Sequence, residues 1–205
     1  MKGLLLVVSG PSGVGKGTVL ERLLSRRNDC VFSISATTRP ARPQEENGKH
    51  YFFLNHEGFE RWVEENKFLE WSEVFDHFYG TPRDFVEQQL ETGKNVVLDI
   101  DVQGGLQVMK RAPNAVFVFL APPDLPTLRQ RLVSRGTESP DQIAKRLLTA
   151  RTELAQIRHY AYRVINQHVD EAVAQLEAIM TAELCRTSRV ERFPWEEVSE
   201  EAAPA

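Results

Sequence analysis

A glycine-rich run near the start of the chain has residue types and spacing suited to binding phosphate. Gly10, Gly15 and Lys16 follow the pattern G-x-x-x-x-G-K, in which backbone N–H groups surround a phosphate and the lysine pairs with it. The next residue is Gly17, where such loops usually offer a serine or threonine hydroxyl to magnesium. Thr18 follows one position later, so its hydroxyl is expected near phosphate or metal but is not assigned as a direct ligand.

The segments around this run decide between a phosphate loop and an ordinary glycine turn. Residues 4–8 form the apolar run LLLVV, which is typical of a strand buried on both faces of a parallel sheet. After Lys16, apolar residues recur at helical spacing, namely Val19, Leu20, Leu23 and Leu24. A strand, a glycine loop and a helix N-terminus with free N–H groups together favour the phosphate loop.

Two arginines close to prolines form a second candidate phosphate site. Arg39 and Arg42 lie in the segment TTRPARP, where the prolines stiffen the backbone. A guanidinium group suits phosphate because its planar fork donates two hydrogen bonds and stays charged. With the hydroxyls of Tyr51 and Tyr79, these arginines would hold one small phosphate monoester. A solvated basic loop is the alternative that this stretch alone leaves open.

Three acidic residues are candidates for a binding site. Asp99 and Asp101 share one face at the end of the predicted strand NVVLDID, and open α/β sheets bind ligands at the carboxyl ends of their strands. Without the phosphate loop, helix capping would explain both residues. Glu70 lies in the alternating segment FLEWSEVF, a pattern that a solvent-facing carboxylate fits as well as a buried one.

Apolar strands alternate with amphipathic helices along the chain, and this order predicts a parallel sheet covered by helices on both faces. Strands are predicted at residues 30–35, 95–101, 115–121 and 162–166, and helices at 85–92, 103–111, 125–134, 141–159 and 170–185. The first strand and helix, together with those predicted elements that lie outside residues 124–158, predict a core of residues 1–34, 84–123 and 159–190.

Two stretches interrupt the alternation, and an acidic tail follows it. Residues 35–83 are polar and aromatic, contain the strand-like segments HYFFLN and FLEWSEVF, and are too long for a loop, so they predict an inserted subdomain. Residues 124–158 are rich in arginine, with Gly136 as a hinge and a helix start formed by Ser139, Pro140 and Gln142. Residues 191–205 are predicted to be disordered.

Composition narrows the functional classes. The chain has 205 residues and a formal net charge of −4, so no global basic field favours nucleic acid as a partner. Cys30 and Cys185 are the only cysteines, and their spacing suits neither a disulfide framework nor a metal site, which predicts a reducing, cytoplasmic location. The apolar start is too short for a membrane span, and Gly10 and Pro11 interrupt it before a signal peptide could form.

Several motifs together carry a family resemblance. The pattern T-T-R-x-x-R followed by G-x-x-Y-x-F accompanies the phosphate loop, EWSEVFDHFYGT, LDIDVQG and the arginines of residues 124–158. On these residues, nearly the whole chain resembles the guanylate kinases, which phosphorylate GMP with ATP. The resemblance implies an α/β fold in which a P-loop parallel sheet is flanked by helices, residues 35–83 form a mixed α/β GMP-binding subdomain and residues 124–158 form a helical lid. Gly17 is also less unusual, because some nucleoside monophosphate kinases carry GKGT.

The resemblance implies a role for each motif residue. The guanine base would be faced by Ser35, Glu70, Thr81 and Asp101, and the GMP phosphate would be held by Arg39, Arg42, Tyr51 and Tyr79. The ATP phosphates would lie on Gly10, Pro11, Ser12, Gly13, Val14, Gly15, Lys16, Gly17 and Thr18. Lys16, Arg135 and Arg146 would act on the transferred group, with Arg131 as a weaker candidate, and Asp99 would steer magnesium through water. Mg²⁺ is expected with ATP, without a directly assigned protein ligand, and dGMP is left open as a second acceptor.

The chemistry of guanine supports this reading of Glu70. Guanine presents N1–H and an exocyclic amine side by side, and one carboxylate accepts from both. Adenine offers an acceptor at N1, so the same carboxylate would face a lone pair, and such sites reject the wrong partner by ~10⁴-fold. The reaction needs no protein base, because a phosphate monoester has a second pKa of ~6 and GMP is largely dianionic at neutral pH.

Two other functions remain as alternatives. Domains similar to guanylate kinases also act as interaction modules that hold phosphorylated peptides, but these usually lack a working loop or lid, whereas this chain has Lys16, Arg135 and Arg146. A kinase acting on a phosphorylated ribose would share the phosphate loop and need no set of residues that reads a base. The sequence leaves open whether the chain is a monomer or a homo-oligomer.

Overall fold

A five-stranded parallel sheet forms the centre of the computed structural model, which describes residues 2–74, 76–134 and 140–190. Its strands lie in the order β2-β7-β1-β8-β9. The bounds are β1 Leu5–Ser9, β2 Cys30–Phe32, β7 Asn95–Asp99, β8 Val116–Ala121 and β9 Tyr162–Ile165. The register pairs Val8 with Asp99, so the loop after β1 and the carboxyl end of β7 meet at one edge of the sheet.

Helices cover both faces of this sheet, as the alternation predicted. The helices are α1 Lys16–Arg26, α2 His56–Glu64, α3 Arg83–Glu91, α4 Val102–Arg111, α5 Leu125–Val133, α6 Pro140–Ala155 and α7 Val169–Leu184, with short 3₁₀ helices at Gln156–His159 and Thr187–Arg189. Apolar residues of α1 and α7 pack on one face, and those of α3 and α4 pack on the other. Successive side chains of a strand point to opposite faces of the sheet. Because helices cover both faces, nearly all of these side chains are buried, and the strands are continuous apolar runs in the sequence.

A second, four-stranded sheet occupies the inserted segment, in the order β4-β3-β6-β5. Its strands are β3 Ala36–Thr37, β4 Phe52–Phe53, β5 Phe68–Val74 and β6 His77–Pro82. The sequence patterns predicted strands at HYFFLN and FLEWSEVF but did not predict α2. That helix begins after Asn55, whose side chain accepts from the Gly58 N–H, and its Phe59 stacks on Phe68 with the ring centroids 4.5 Å apart.

Several predicted elements are shorter in the structure, among them the strand predicted at 95–101, which ends at Asp99 and leaves Asp101 as the N-cap of α4. The strand predicted at residues 30–35 stops at Phe32, because the chain crosses to the second sheet, where Ala36 pairs with Gly80. The helix predicted at 141–159 ends at Ala155 and continues as a 3₁₀ turn. Gly136, Ser139 and the tail at 191–205 lie outside the described residues.

No described helix combines the length and the apolar character that crossing a bilayer requires.

Candidate active site

The glycine loop forms a recess at the carboxyl edge of the main sheet. Gly13 and Gly15 have φ of +86° and +93°, a conformation that side-chain-bearing residues rarely adopt. Gly15 precedes α1 without any side-chain cap, so the first N–H groups of that helix remain available to an anion. The recess is lined by residues 11–18 together with Glu21 and Asp99. The residues predicted for the ATP phosphates from Pro11 to Thr18 therefore lie together.

Lys16 lies between the loop and β7. Its Nζ donates to the Gly10 carbonyl at 3.1 Å and lies 3.8 Å from Asp99 Oδ1. Burial raises the pKa of Asp99, and the neighbouring Lys16 charge opposes that rise. Asp99 and Thr18 border the same recess, and carboxylate and hydroxyl oxygens are the donors that Mg²⁺ accepts, directly or through water. The residues present thus suit a magnesium ion carried in with a polyphosphate.

One of the two predicted lid arginines reaches the loop. Arg146 Nη1 donates to the Ser12 hydroxyl at 3.2 Å. Arg135 lies outside the described residues. Arg131, the weaker candidate, donates to two carbonyls of the protein, those of Val14 at 3.0 Å and Asn166 at 2.8 Å.

The residues predicted to read the base surround a buried carboxyl group. Glu70 is 6% exposed, and Thr81 Oγ1 donates to its Oε1 at 2.5 Å. Burial, with a smaller contribution from the Asp101 charge, raises the pKa of Glu70 to about 7, although Thr81 opposes the rise. A Cβ at Gly104 would lie 3.0 Å from Glu70 Oε2 and 3.4 Å from Asp101 Oδ1, so the two carboxyl groups converge on this glycine. Asp101 also caps α4 by accepting from the Gly104 N–H at 2.7 Å.

The residues predicted to hold a phosphate monoester form an aromatic and basic cluster. The Arg39 guanidinium lies 5.5 Å from the Tyr51 ring centroid, and the Tyr51 and Tyr79 rings meet edge to face at 6.3 Å. Arg39 Nη2 donates to Glu45 Oε1 at 2.9 Å, and the Arg42 backbone N–H donates to Glu45 Oε2 at 2.8 Å. The hydrogen bond from Arg39 is the main reason that the pKa of Glu45 falls to about 2.

A polar recess connects this cluster with the carboxyl end of β7. Its lining includes Ser35, Tyr51, Thr81 and Asp99, all predicted from the sequence, and also His50. Two of the four candidate base-reading residues, Ser35 and Thr81, therefore share a wall with Asp99, whose Oδ1 lies 3.8 Å from Lys16 Nζ. A small nucleotide in this recess would point towards the phosphate loop.

Comparison with known proteins agrees with this geometry. The family model described as guanylate kinase matches residues 2–183. The chain belongs to the guanylate kinase family. The guanylate kinase of Caldanaerobacter subterraneus subsp. tengcongensis is 50% identical over 188 residues, which are 92% of this chain and 91% of that relative. The guanylate kinase of Thermotoga maritima is 46% identical over 200 residues, which are 96% of this chain and 97% of that relative.

A solved structure gives the same result for the fold. The crystal structure of guanylate kinase from Anaplasma phagocytophilum is similar with a TM-score of 0.73 at 32% identity, covering 100% of this chain and 97% of that chain. The predicted family and fold class are confirmed, as is the prediction of a nucleoside monophosphate kinase.

Sequence reasoning missed Asn166 and Glu45, two residues that contact predicted members of the candidate site. Asn166 Nδ2 donates to the Val14 carbonyl at 2.8 Å, and Arg131 donates to the same oxygen, so both side chains brace the phosphate loop. Glu45 meets both predicted phosphate-binding arginines. Asn166 follows a predicted strand and Glu45 lies beside TTRPARP, but neither position has a pattern of its own.

Proposed function

We propose that the chain transfers the terminal phosphoryl group of ATP to GMP, giving ADP and GDP. Membership of the guanylate kinase family supports the reaction class. The observation that carries the choice of acceptor is the buried Glu70 carboxyl group, which lies against Thr81 and Asp101 beside the polar recess. This site suits a base that presents two adjacent donors.

Glu70, when ionised, accepts from guanine N1–H and the exocyclic amine. Ser35, Thr81 and Asp101 complete the set that faces the base. Adenine would leave the Glu70 carboxylate facing an acceptor nitrogen, and an unpaired buried charge is strongly unfavourable. The site therefore selects the acceptor by the penalty that it imposes on other bases.

Arg39, Arg42, Tyr51 and Tyr79 hold the GMP phosphate in this proposal. Glu45 already accepts hydrogen bonds from the Arg39 side chain and from the Arg42 backbone N–H. The Arg39 guanidinium also donates to the Pro40 carbonyl at 2.7 Å, so a phosphate oxygen beside it would be a third acceptor for its five donors. We infer that Glu45 keeps the fork oriented while the phosphate binds.

The donor nucleotide lies on the phosphate loop, where the backbone N–H groups of residues 12–18 surround its phosphates, Pro11 having no N–H. Lys16 moves from the Gly10 carbonyl to the transferred group, and Arg146 and Arg135 approach that group from residues 124–158. Thr18 and Asp99 would hold the magnesium ion of MgATP, with water between ion and protein. The ion would neutralise charge that develops on the phosphates.

Catalysis in this scheme consists of alignment and charge neutralisation. The dianionic GMP phosphate attacks directly, so the protein has to hold two phosphates in line and exclude water. We infer that the core consists of residues 1–34, 84–123 and 159–190. Residues 35–83 act as the GMP-binding subdomain and residues 124–158 as a lid, and both close over the substrates. The two free cysteines support a cytoplasmic location, and a role in purine nucleotide metabolism follows from the proposed reaction.

The deciding experiment measures ADP release from MgATP by purified protein with GMP, AMP, CMP, UMP or a ribose bisphosphate offered in parallel. We expect turnover with GMP and at least 10²-fold less with the other acceptors. Turnover with the ribose bisphosphate would contradict the base-reading role of Glu70. Absence of turnover with every acceptor, together with tight binding of GMP or a phosphopeptide, would favour an interaction module instead.

A further inference from the structure

Helix α4 holds the backbone of β5, the last strand of the second sheet, directly after Glu70. The Gln107 side chain pairs with Trp71 much as a neighbouring strand would: its Oε1 accepts from the Trp71 N–H at 3.2 Å, and its Nε2 donates to the Trp71 carbonyl at 3.0 Å. An edge strand otherwise presents such groups to solvent. One glutamine of a core helix therefore satisfies both backbone groups of the residue that follows Glu70.

Arg111 makes a second contact with β5, directly before Glu70. It follows Gln107 by about one turn of α4, and its Nη1 donates to the Phe68 carbonyl at 2.9 Å and to the Leu69 carbonyl at 3.1 Å. Burial is the main influence on the pKa of Glu70 and raises it, whereas the Arg111 charge lowers it. The helix thus binds β5 on both sides of the proposed base-reading carboxyl group.

The strand is irregular between these two contacts, and the irregularity affects the direction of Glu70. Phe68 pairs with Pro82 and Glu70 with Thr81, so β5 has one residue more than β6 at this point, which is a β-bulge. Phe68 and Trp71 both pack in the aromatic cluster of the second sheet, although a regular strand places side chains three positions apart on opposite faces. The bulge therefore gives Glu70 a direction that regular pairing would not.

Both peptide groups joined to the Glu70 Cα are held by the helix. The first contributes the Leu69 carbonyl, which accepts from Arg111. The second contributes the Trp71 N–H, which donates to Gln107. Because peptide groups are planar, fixing both of them leaves the Glu70 backbone little freedom to rotate, and this sets the direction of its side chain.

We propose that Gln107 and Arg111 are positioning residues for base selection: they hold the bulged β5 on α4, so that the Glu70 carboxylate meets the two adjacent donors of guanine. This inference rests on the function proposed above. Asp101 is the N-cap of the same helix, so these contacts also fix the distance between the two carboxyl groups that face the base. Gln107 and Arg111 act through Glu70 and do not touch the reacting atoms.

The first test is Gln107→Met, which keeps the length of the side chain and removes both hydrogen bonds to Trp71. In steady-state kinetics, we expect the KM for GMP to rise about tenfold and the KM for ATP to change less than about twofold, because a misdirected Glu70 weakens a charged hydrogen bond to the base alone. Activity with AMP should change little, so the ratio of kcat/KM for GMP to that for AMP falls about tenfold. Gln88→Met, on the exposed surface of α3, is the matched control and should keep this ratio.

The second residue is tested by Arg111→Met and by its conservative partner Arg111→Lys. Both hydrogen bonds come from one nitrogen, so a lysine ammonium can replace them, whereas methionine cannot. We expect Arg111→Met to lower the GMP-to-AMP ratio about fivefold and Arg111→Lys to stay within about twofold of the unchanged protein. Lys110→Met, at the exposed neighbouring position of α4, removes the same charge and should leave the ratio unchanged.

A double-mutant cycle with Glu70→Ala separates positioning from general structural damage. If Gln107 acts through Glu70, adding Gln107→Met to Glu70→Ala should lower kcat/KM for GMP by less than about twofold further. The inference is overturned if the two losses multiply, if Gln107→Met keeps the GMP-to-AMP ratio even where its unfolding midpoint falls, or if Arg111→Lys loses as much as Arg111→Met. Where one variant fails to fold, the variant of the other residue carries the test. An unchanged protein without a preference for GMP over AMP would contradict the proposed function itself.

Discussion

The phosphate loop and residues 35–83, the two regions proposed to bind phosphate, offer it different kinds of groups. In the loop, the expected binding groups are backbone N–H groups whose directions are set by Gly13 and Gly15 at positive φ. In the subdomain, they are side chains that already contact protein partners, as Arg39 contacts Glu45 and Thr81 contacts Glu70. The donor site is thus shaped by backbone conformation, and the acceptor site by pairs of opposite or complementary groups.

The two kinds of binding group are expected to differ in how strongly they discriminate between ligands. A backbone cradle leaves its N–H groups ready for any phosphate chain, so it offers geometry with little discrimination between bases. The paired side chains of the subdomain must be satisfied again by whatever enters, and a ligand that fails to do so leaves a buried group unpaired. Under the proposed function, affinity for polyphosphate and selectivity for the base would therefore lie in separate regions of the molecule.

The strongest test of the donor side is Lys16→Ala, because this side chain is the one mobile charge that the loop itself supplies. We expect turnover with saturating GMP and MgATP to fall by ~10²-fold or more, as for other preorganised groups that stabilise developing charge. The matched control is Lys145→Ala on the exposed surface of α6, which removes the same charge elsewhere. Near-normal turnover of Lys16→Ala would mean that the backbone cradle suffices.

Glu70→Gln tests the acceptor side. The amide presents a donor as well as an acceptor to guanine, so we expect kcat/KM for GMP to fall by about 10–100-fold, the range for a lost charged hydrogen bond, while activity with AMP falls less. Steady-state kinetics with both nucleotides measures the change in selectivity. An unchanged ratio of GMP to AMP would remove base reading from Glu70.

The same variant gives a prediction for pH. Glu70 has its pKa raised to about 7 from an ordinary value of 4.5, and GMP requires the ionised form. Binding of GMP should therefore weaken as pH falls through 7, more steeply than in Glu70→Gln, where only the GMP phosphate titrates. Without ligand, the sign is opposite: the folded state holds the proton more tightly, so the free energy of unfolding falls as pH rises from 4.5 to 7. Calorimetric titration and denaturant unfolding across this range measure both slopes.

A pair of glycine variants gives the smallest effect and tests whether backbone conformation shapes the donor site. Gly15→Ala places a Cβ 2.8 Å from Asn166 Nδ2 at a φ of +93°, so we expect the free energy of unfolding to fall by about 1–2 kcal/mol. At Gly17, within α1, a Cβ would meet no atom of the described residues within 4 Å, and Gly17→Ala should raise stability by about 0.5–1 kcal/mol. Opposite signs in denaturant unfolding are expected; equal effects would contradict the argument.

The sequence alone determined the features that depend on neighbours along the chain. The spacing from Gly10 to Lys16 predicted the loop, since positive φ and a helix start need only glycines and an amphipathic continuation. The apolar runs predicted four further strands of the main sheet, because a strand that is buried on both faces needs apolar side chains at successive positions. The proposed base-reading roles came from the resemblance of motifs, because the alternating segment around Glu70 fits a solvent-facing carboxylate as well as a buried one.

Tertiary structure decided the features that depend on residues far apart in sequence. Asn166 reaches the Val14 carbonyl across 152 positions, and Arg131 reaches it across 117. Helix α2 lies between two segments predicted as strands and was itself not predicted; its Phe59 is buried in the aromatic cluster on the second sheet. A sequence pattern records which face of a helix is apolar, whereas the partner of each polar group is set by how the chain folds back on itself.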